Sequence, residues 1–362
     1  MESEVFHDSI DAFTERRIKS LKIITKDYEV YKVAGVQAAP VYLDLNETVV
    51  KTVSLIDEAA SNGAKLIGFP ESFIPGYPWW IWLGTSMENS IKFYEILYNN
   101  AVTIPGNAVR SISEAARRNS VYVCVSVTEL DGGSLYLTQL WFNPQGDLIG
   151  KHRKFKPTSF ERAIWGEGDG SMAPVFDTEF GRLGGLQCAE HMIPLNLTAM
   201  NSLNEQVHIA SWPAFVPDKN SLLSQVPCET ATCYYATVNQ TYSIMCSQIF
   251  TEEMQEMLIE REEQMNFINI GGGCTKIFSP QGGQVISNEI ASDEEGIAYA
   301  DIDLSNIPSG KFIMDPAGHY STPGFLRMIF DRTPIPPVTI IGEQGDHFIF
   351  YAQIQETEDI KN

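Results

Sequence analysis

Basic residues are scarce in this chain of 362 residues: 25 Lys and Arg stand against 46 Asp and Glu, a formal net charge of −21. We therefore expect it to bind neither nucleic acids nor anionic membrane surfaces. No apolar run reaches the length that spans a bilayer, so we expect no transmembrane helix. The first eight residues do not place an apolar segment after a basic one. We therefore expect no secretory signal, and a cytoplasmic protein.

The cysteines lack the spacing of a metal site. None of the six forms a C-x-x-C pair, and the six histidines do not cluster with them at zinc-ligand spacing. The glycine run 271–273 has no P-loop lysine. We therefore predict reduced thiols, no structural metal and no organic cofactor.

Apolar strands alternate with helical stretches from residue 31 onwards, and no Ser- or Pro-rich linker interrupts them. The pattern predicts strands at 31–40, 65–69, 121–127, 136–142, 148–154, 182–188, 207–211, 241–248, 273–279 and 296–303, and helices at 44–62, 107–119, 194–204 and 219–238. This alternation is typical of a layered α/β domain, which we place at 31–330. We predict an N-terminal extension at 1–30, a C-terminal tail at 331–362 and a peripheral charged stretch at 251–265.

Cys188 lies where the apolar strand at 182–187 gives way to a helical stretch that begins at Pro194. Such a junction can point a thiol at solvent, beside free backbone N–H groups and the positive end of a helix. Both features favour the thiolate. The same cysteine could instead be a small core residue, which is common at strand ends.

Two further polar residues close apolar strands: Glu71 follows 68–70, and Lys154 follows 150–153. Strand ends can meet at one edge of a sheet, where α/β folds bind ligands. A thiol nucleophile needs a base, and an ammonium stabilises the charge that develops on an attacked substrate. Two plainer interpretations stay open. Glu71 could be a surface residue, and Lys154 could belong to a solvated basic run in which Lys156 competes with it.

These residues lie in three segments, Phe69-Pro70-Glu71-Ser72-Phe73, His152-Arg153-Lys154-Phe155-Lys156-Pro157-Thr158 and Gly185-Leu186-Gln187-Cys188-Ala189-Glu190-His191. The segments resemble the three signature blocks of the nitrilase superfamily, in that family's order and spacing. Stretches at 75–79, 132–136, 160–168, 208–213 and 315–321 resemble its nitrilase branch rather than its amidase branches. The resemblance covers about 31–330. It is greatest to bacterial cyanide-degrading and aliphatic or arylacetonitrile-hydrolysing nitrilases.

The resemblance implies an α/β fold, a four-layer αββα sandwich, and hydrolysis of an organic nitrile to a carboxylic acid and ammonia through a cysteine thioimidate. It implies that Cys188 is the nucleophile, Glu71 the general base, Lys154 the cationic stabiliser and Glu161 the residue that holds the lysine and the water. It also marks Glu190, which braces the nucleophile loop, and His319, which supports activity or the C-terminal segment. The residues that it places in the pocket or at its edge are Tyr77, Trp79, Trp212 and Pro213. Ordinary core packing stays open as the alternative for each of these aromatic residues.

One residue departs from the family pattern. The family carries a tryptophan directly after the nucleophile, and this chain has Ala189. Exchanging indole for methyl removes well over about 100 Å² of apolar surface. We therefore expect either a pocket that accepts bulky or branched nitriles, or a differently held intermediate that releases amide as well as acid.

Three other functions stay open: cyanide dihydratase, amidase or carbamoylase, and a non-catalytic assembly protein. Ala189 disfavours a pocket tailored to cyanide, and Glu190 disfavours the amidases, many of which carry aspartate there. The presence of the four catalytic residue types disfavours the assembly protein. The resemblance also implies a homodimer that extends into spirals or filaments through segments such as 219–265 and the C-terminal tail.

Overall fold

The computed structural model describes residues 29–268 and 270–335. Most of the predicted N-terminal extension and C-terminal tail lie outside the described residues. The strands are β1 Tyr31–Gln37, β2 Ala64–Gly68, β3 Val102–Thr103, β4 Tyr122–Asp131, β5 Ser134–Phe142, β6 Leu148–Arg153, β7 Val175–Thr178, β8 Gly181–Gln187, β9 Val207–Trp212, β10 Tyr242–Ser247, β11 Lys276–Phe278 and β12 Gly296–Ile302. The helices are α1 Leu45–Ser61, α2 Met87–Asn99, α3 Asn107–Asn119, α4 Pro194–Ser202, α5 Gln225–Asn239, α6 Glu252–Leu258 and α7 Ile307–Ile313.

The twelve strands of the described residues form one hydrogen-bonded sheet, and nine of them follow the order β6-β5-β4-β2-β1-β10-β9-β8-β7. The other three pair at its sides: β3 with β4, β11 with β10 and β12 with β1. Neighbours from β4 to β8 along this order are parallel, and the outer pairs β4–β5, β5–β6 and β7–β8 are antiparallel. β1 and β10 meet through one register pair, Gln37 with Ser247. The sheet therefore divides there into two halves.

The two halves face each other across an apolar core. Tyr122 and Trp141 from one half pack in a single cluster with Leu183, Ile209 and Ile244 from the other. Polar side chains also cross the gap, because Nε2 of Gln139 on β5 donates to the carbonyl of Leu186 on β8 at 3.2 Å. A Cβ at Gly185 would lie 3.0 Å from the side chain of Trp141, so this glycine permits the close approach.

Helices cover the outer faces of both halves. Ile56 of α1 and Ile112 of α3 pack with strand residues such as Val125, whereas Leu197 of α4 and Tyr235 of α5 pack with Leu186. The layers therefore run helix, sheet, sheet, helix, and the predicted αββα sandwich is confirmed. None of the helices in the described part of the chain has the length and apolarity that a bilayer crossing requires.

Local signals in the sequence account for several boundaries. The side chain of Asp44 accepts from the backbone N–H of Glu47 at 3.0 Å and caps α1, as predicted for the helix at 44–62. The helix predicted at 219–238 begins only at Gln225. Before it, the side chains of Asp218 and Ser221 accept backbone N–H groups and hold the chain in turns.

Two predictions about the second half of the chain need correction. The strand predicted at 273–279 spans only Lys276–Phe278, because side chains take the preceding N–H groups: Ser247 Oγ accepts from Cys274, and Gln37 Oε1 accepts from Thr275. The stretch 251–265 is not peripheral. Met254 and Leu258 of α6 are buried, and Nε2 of Gln264 donates to the carbonyl of Leu83 at 2.9 Å.

Candidate active site

Four of the predicted residues meet beyond the ends of β2, β6 and β8. Nζ of Lys154 donates to Oε1 of Glu71 at 2.7 Å and to Oε2 of Glu161 at 2.8 Å. One carboxylate oxygen from each glutamate and Sγ of Cys188 all lie within 4.8 Å of one another. A thiol, an ammonium and two carboxyl groups therefore form one cluster, which we call the Cys188 cluster.

The Cys188 cluster is closed to solvent. Glu71 and Lys154 are fully buried, Glu161 is 1% exposed and Cys188 is 2% exposed. The expectation of a solvent-facing thiol is therefore wrong, as are the alternatives that placed Glu71 and Lys154 on a solvated surface. Lys156 is exposed and pairs with the equally exposed Glu167, outside this cluster.

Backbone and side-chain bonds fix both carboxyl groups. The N–H of Glu71 donates to the carbonyl of Trp212 at 3.1 Å, and Nε2 of Gln248 donates to the carbonyl of Glu71 at 2.6 Å. Glu161 lies in the short 3₁₀ turn Ser159–Ala163. Its carboxylate accepts from Lys154, from the backbone N–H of Thr158 at 2.6 Å and from the hydroxyl of Tyr77 at 2.7 Å. Glu161 is therefore well satisfied, whereas Oε2 of Glu71 has no partner.

The predicted nucleophile, Cys188, opens the 3₁₀ turn Cys188–Met192, which we call the nucleophile turn and which separates β8 from α4. The sequence predicted a direct junction of strand and helix at Cys188, whereas the structure has this turn between them. Cys188 has φ of +49°, in the left-handed region that non-glycine residues rarely occupy. Glu190 braces the turn, since its carboxylate accepts from the backbone N–H of Gln187 at 2.8 Å, from that of Phe155 at 2.8 Å and from Nε2 of His152 at 2.9 Å.

Burial sets the protonation of the Cys188 cluster. It raises the pKa of the Cys188 thiol, and the neighbouring Glu71 raises that pKa further, while Lys154 opposes both. Burial also raises the pKa of Glu71 to about 8, against the lowering effect of Lys154. Burial acts to lower the pKa of Lys154, but Glu161 and Glu71 outweigh it and raise that pKa. These directions favour a neutral thiol beside an ammonium, in contrast to the expectation of a thiolate favoured by a helix end.

Lys154 contacts both carboxylates at the place where a metal ion could otherwise bind. Among the described residues, Glu71, Glu161 and Cys188 form the one group whose ligand atoms are close enough together for a metal. Lys154 already donates to both carboxylates, so its ammonium takes the position of the cation. The chemistry available to the cluster is proton transfer and nucleophilic attack by sulfur.

An aromatic wall adjoins Glu161. The ring of Tyr77 lies 4.8 Å from that of Trp79 and 5.8 Å from that of Trp165, and Trp79 meets Phe250 at 6.2 Å. Nε1 of Trp79 and Nε1 of Trp165 have no hydrogen-bond partner. Trp165 and Phe250 were not predicted as site residues. The signal for Trp165 was its place in the family-like stretch 160–168, whereas Phe250 gave none.

The remaining predicted residues lie in different places: Trp212 shares an apolar cluster with Cys188, whereas His319 is on the surface. Trp212 and Pro213 are buried, and Nε1 of Trp212 donates to Thr232 at 3.0 Å, so this indole packs near Cys188 against α5. Ala189 is half-buried against the same apolar cluster. His319 is exposed, and its ring contacts Tyr320 at 5.2 Å. No recorded hydrogen bond of the described residues joins His319 to the Cys188 cluster.

Comparisons with known proteins agree with this geometry. A family model described as carbon-nitrogen hydrolase matches residues 32–312. The chain is 59% identical to a nitrilase of Bacillus sp. (strain OxB-1), over 91% of this chain and 96% of the relative. It is 44% identical to an aliphatic nitrilase of Rhodococcus rhodochrous, over 85% and 84% of the two chains.

A solved structure supports the fold. The carbon-nitrogen hydrolase from Helicobacter pylori G27 matches with a TM-score of 0.65 at 18% identity, over 82% of this chain and 97% of that one. At this identity the likeness concerns the fold alone, whereas the sequence matches above concern the family. The chain belongs to the carbon–nitrogen hydrolase family, in its nitrilase branch.

Proposed function

We propose that this enzyme hydrolyses an organic nitrile to a carboxylic acid and ammonia through a covalent intermediate on Cys188. The observation that carries the proposal is the buried contact of Lys154 with both Glu71 and Glu161, at 2.7 Å and 2.8 Å, beside the thiol. Because the pKa of Glu71 is about 8, this carboxyl can take and return a proton near neutral pH.

In the first half of the reaction, Glu71 takes the thiol proton and Sγ of Cys188 attacks the nitrile carbon. A C–S bond forms, one C–N π bond breaks, and the nitrogen takes up a proton to give a thioimidate. Lys154 stabilises the negative charge that develops on that nitrogen, and burial strengthens the effect because water does not screen it. Glu161 accepts from Lys154 and holds it in place, and the hydroxyl of Tyr77 in turn donates to Glu161.

In the second half, Glu71 takes a proton from water, which adds to the thioimidate carbon to form a tetrahedral intermediate. Protonated nitrogen leaves as ammonia, and a thioester remains. A second water releases the carboxylic acid and returns the proton to the thiol. Overall, one nitrile and two water molecules give one carboxylic acid and one ammonia. If the C–S bond breaks before the C–N bond does, an amide leaves instead.

We further propose that the pocket favours bulky or aromatic nitriles over cyanide. The supporting observations are the aromatic wall of Tyr77, Trp79, Trp165 and Phe250, and the small side chain of Ala189 beside the nucleophile. Aromatic rings offer a large apolar contact area to an organic substituent, and cyanide has none to bury.

The test is a panel of cyanide, an aliphatic nitrile, an aryl nitrile and the two matching amides, with ammonia, acid and amide all quantified. We expect ammonia and acid from the organic nitriles and little from cyanide or the amides. Turnover of the amides alone would instead make the enzyme an amidase. Ala189→Trp, run on the same panel, should shift selectivity towards the smaller substrates. Unchanged selectivity would overturn the proposal about pocket size.

We also infer a homo-oligomer in the cytoplasm. Large apolar side chains are exposed along the C-terminal part of the described chain, among them Phe312 at 85%, Phe325 at 85% and Ile329 at 91%, and exposed apolar patches often mark subunit contacts. His319 lies in this segment, which supports a structural role for it. All six cysteines are free thiols, as in a reducing compartment. Light scattering would test the assembly, and a purely monomeric protein would contradict it.

A further inference from the structure

Four buried side chains lead away from the nucleophile turn to α5, and the proposed mechanism uses none of them. Nδ1 of His191 lies 2.7 Å from the carbonyl oxygen of Cys188, and Nε2 of His191 lies 2.8 Å from Nε2 of His208. Nδ1 of His208 lies 2.8 Å from Oε1 of Glu205, and the hydroxyl of Tyr235 donates to Oε2 of Glu205. Each of the four is at most 2% exposed. We call them the histidine relay.

The protons of the histidine relay can be counted. The carbonyl of Cys188 only accepts, so Nδ1 of His191 carries a proton. A second proton lies between the two Nε2 atoms, and a third lies between His208 and Glu205. Two neutral imidazoles supply two protons. The third must either belong to Glu205 as a carboxylic acid, or make one imidazole an imidazolium opposite a carboxylate.

Burial decides between these two forms. Separating charge inside an apolar core is costly, and the neutral form avoids that cost. Burial raises the pKa of Glu205, with Tyr235 opposing it, and burial lowers the pKa of His208 although Glu190 opposes it. Burial and His208 together lower the pKa of His191 to about 3.

The rings of the relay pack closely on one another and on Trp212, and the other side of His191 borders a cavity with Met192 and Tyr234. The ring of His208 lies 3.9 Å from that of Tyr235, and His191 stacks on Trp212 at 5.2 Å. A Cβ at Gly184 would lie 2.2 Å from Oε1 of Glu205, so the strand passes close against this carboxyl.

We propose that Glu205 is a neutral carboxylic acid and a positioning residue for Cys188. Its O–H donates to Nδ1 of His208, Nε2–H of His208 donates to Nε2 of His191, and Nδ1–H of His191 donates to the carbonyl of Cys188. The orientation of each imidazole is thereby fixed. The unfavourable positive φ of Cys188 persists because its carbonyl has this donor. The kinetic consequence rests on the proposed function of Cys188, whereas the protonation state does not.

The first test compares Glu205→Gln, Glu205→Leu and Glu129→Gln in the full chain. Glutamine can replace a carboxylic acid here, since its amide N–H can donate to His208 and its oxygen can accept from Tyr235. We expect Glu205→Gln to keep kcat within about threefold of the parent value. This change is smaller than the one that the loss of a neutral hydrogen bond would cause. Glu205→Leu removes both bonds, so we expect kcat to fall about tenfold or more with a smaller change in KM.

Glu129 is the matched control, because it is equally buried but bound to Arg153 and Lys151. Those cations outweigh burial and lower the pKa of Glu129 to about 2. Glu129→Gln should therefore lower the midpoint of urea unfolding clearly, and Glu205→Gln should not. A loss of kcat and of unfolding midpoint in Glu205→Gln as large as in Glu205→Leu would overturn the proposal.

The second test detects the protonation state of Glu205 directly and does not depend on turnover. The difference infrared spectrum between the parent and Glu205→Gln at neutral pH should contain the C=O stretch of a protonated carboxylic acid. Any signal from Glu71 cancels in this difference, because both proteins carry that residue. A carboxylate band in place of the acid band would mean an ion pair with His208 and would overturn the proposal.

Discussion

At the scale of single residues, the site depends on one ammonium shared between two carboxyl groups. Lys154 donates to Glu71 and to Glu161, all three are buried, and Cys188 lies beside them. An ion pair as deeply buried as this one stabilises a protein weakly, because desolvation offsets most of the attraction. We therefore attribute the arrangement to catalysis rather than to stability.

Variants of Lys154 and of the nearby Lys156 form a matched pair that tests the catalytic role of Lys154. Lys154→Met should lower kcat/KM by about a hundredfold to a thousandfold, as expected when a charge-stabilising group is removed. Lys156→Met removes only an exposed ion pair with Glu167, so its kcat/KM should stay within about threefold. Steady-state kinetics on one nitrile measures both. Equal losses in the two variants would contradict the assignment of Lys154.

The raised pKa of Glu71 predicts a pH dependence with a definite sign. Only the deprotonated carboxyl can accept the thiol proton, so kcat/KM should fall as the pH drops through about 8. Stability should change in the opposite sense. The folded pKa of Glu71 lies above the ordinary value of 4.5, so its contribution is full below that value and declines as the pH rises towards 8. A profile of kcat/KM against pH without this limb would rule out Glu71 as the base.

At the scale of elements, the turn that begins at Cys188 is bonded to the segment that follows β6 and carries Lys154. Glu190 accepts from the backbone N–H groups of Gln187, next to Cys188, and of Phe155, next to Lys154. Burial acts to raise the pKa of Glu190, but His152 and these two N–H groups outweigh it and lower that pKa. One carboxylate therefore sets the distance between the thiol and the ammonium.

Replacing Glu190 by glutamine should weaken the hydrogen bonds that connect Gln187 to Phe155 through this side chain. Whichever way the new amide is placed, its NH₂ faces the backbone N–H of either Gln187 or Phe155, and one buried donor is left unsatisfied. We expect the free energy of unfolding to fall by about 1–3 kcal/mol, and kcat to fall more than KM changes. Urea unfolding and steady-state kinetics measure the two effects. If stability and kcat both matched the parent, Glu190 would not brace the turn.

Elements with a clear local signal could be predicted from the sequence, and those without one could not. α1 has its Asp44 cap and a regular apolar face, and it was found at its predicted place. α2 was missed, because only Leu97 of that helix is buried and its apolar stripe is weak. The turn Cys188–Met192 was missed because its geometry depends on Glu190 and His191, which bond across the fold.

At the scale of the whole molecule, the site forms because the two halves of the sheet pack face to face. Glu71 and Lys154 follow strands of one half and Cys188 follows a strand of the other, and the two halves meet across the core. The motifs predicted which residues assemble, but not that the cluster would be closed to solvent. The burial of the cluster depends on loops from distant parts of the chain. Two of them, the aromatic stretch at 77–82 and the stretch around Gln264, pack against each other.

The central claim, that Cys188 is the nucleophile of a nitrile hydrolase, is tested most directly by comparing two cysteines of the same apolar cluster. Cys188→Ala and Cys228→Ala each remove one buried thiol. With ammonia release from an organic nitrile as the measurement, we expect Cys188→Ala to show no turnover above the uncatalysed rate, and Cys228→Ala to retain that of the parent. Appreciable turnover by folded Cys188→Ala would contradict the claim.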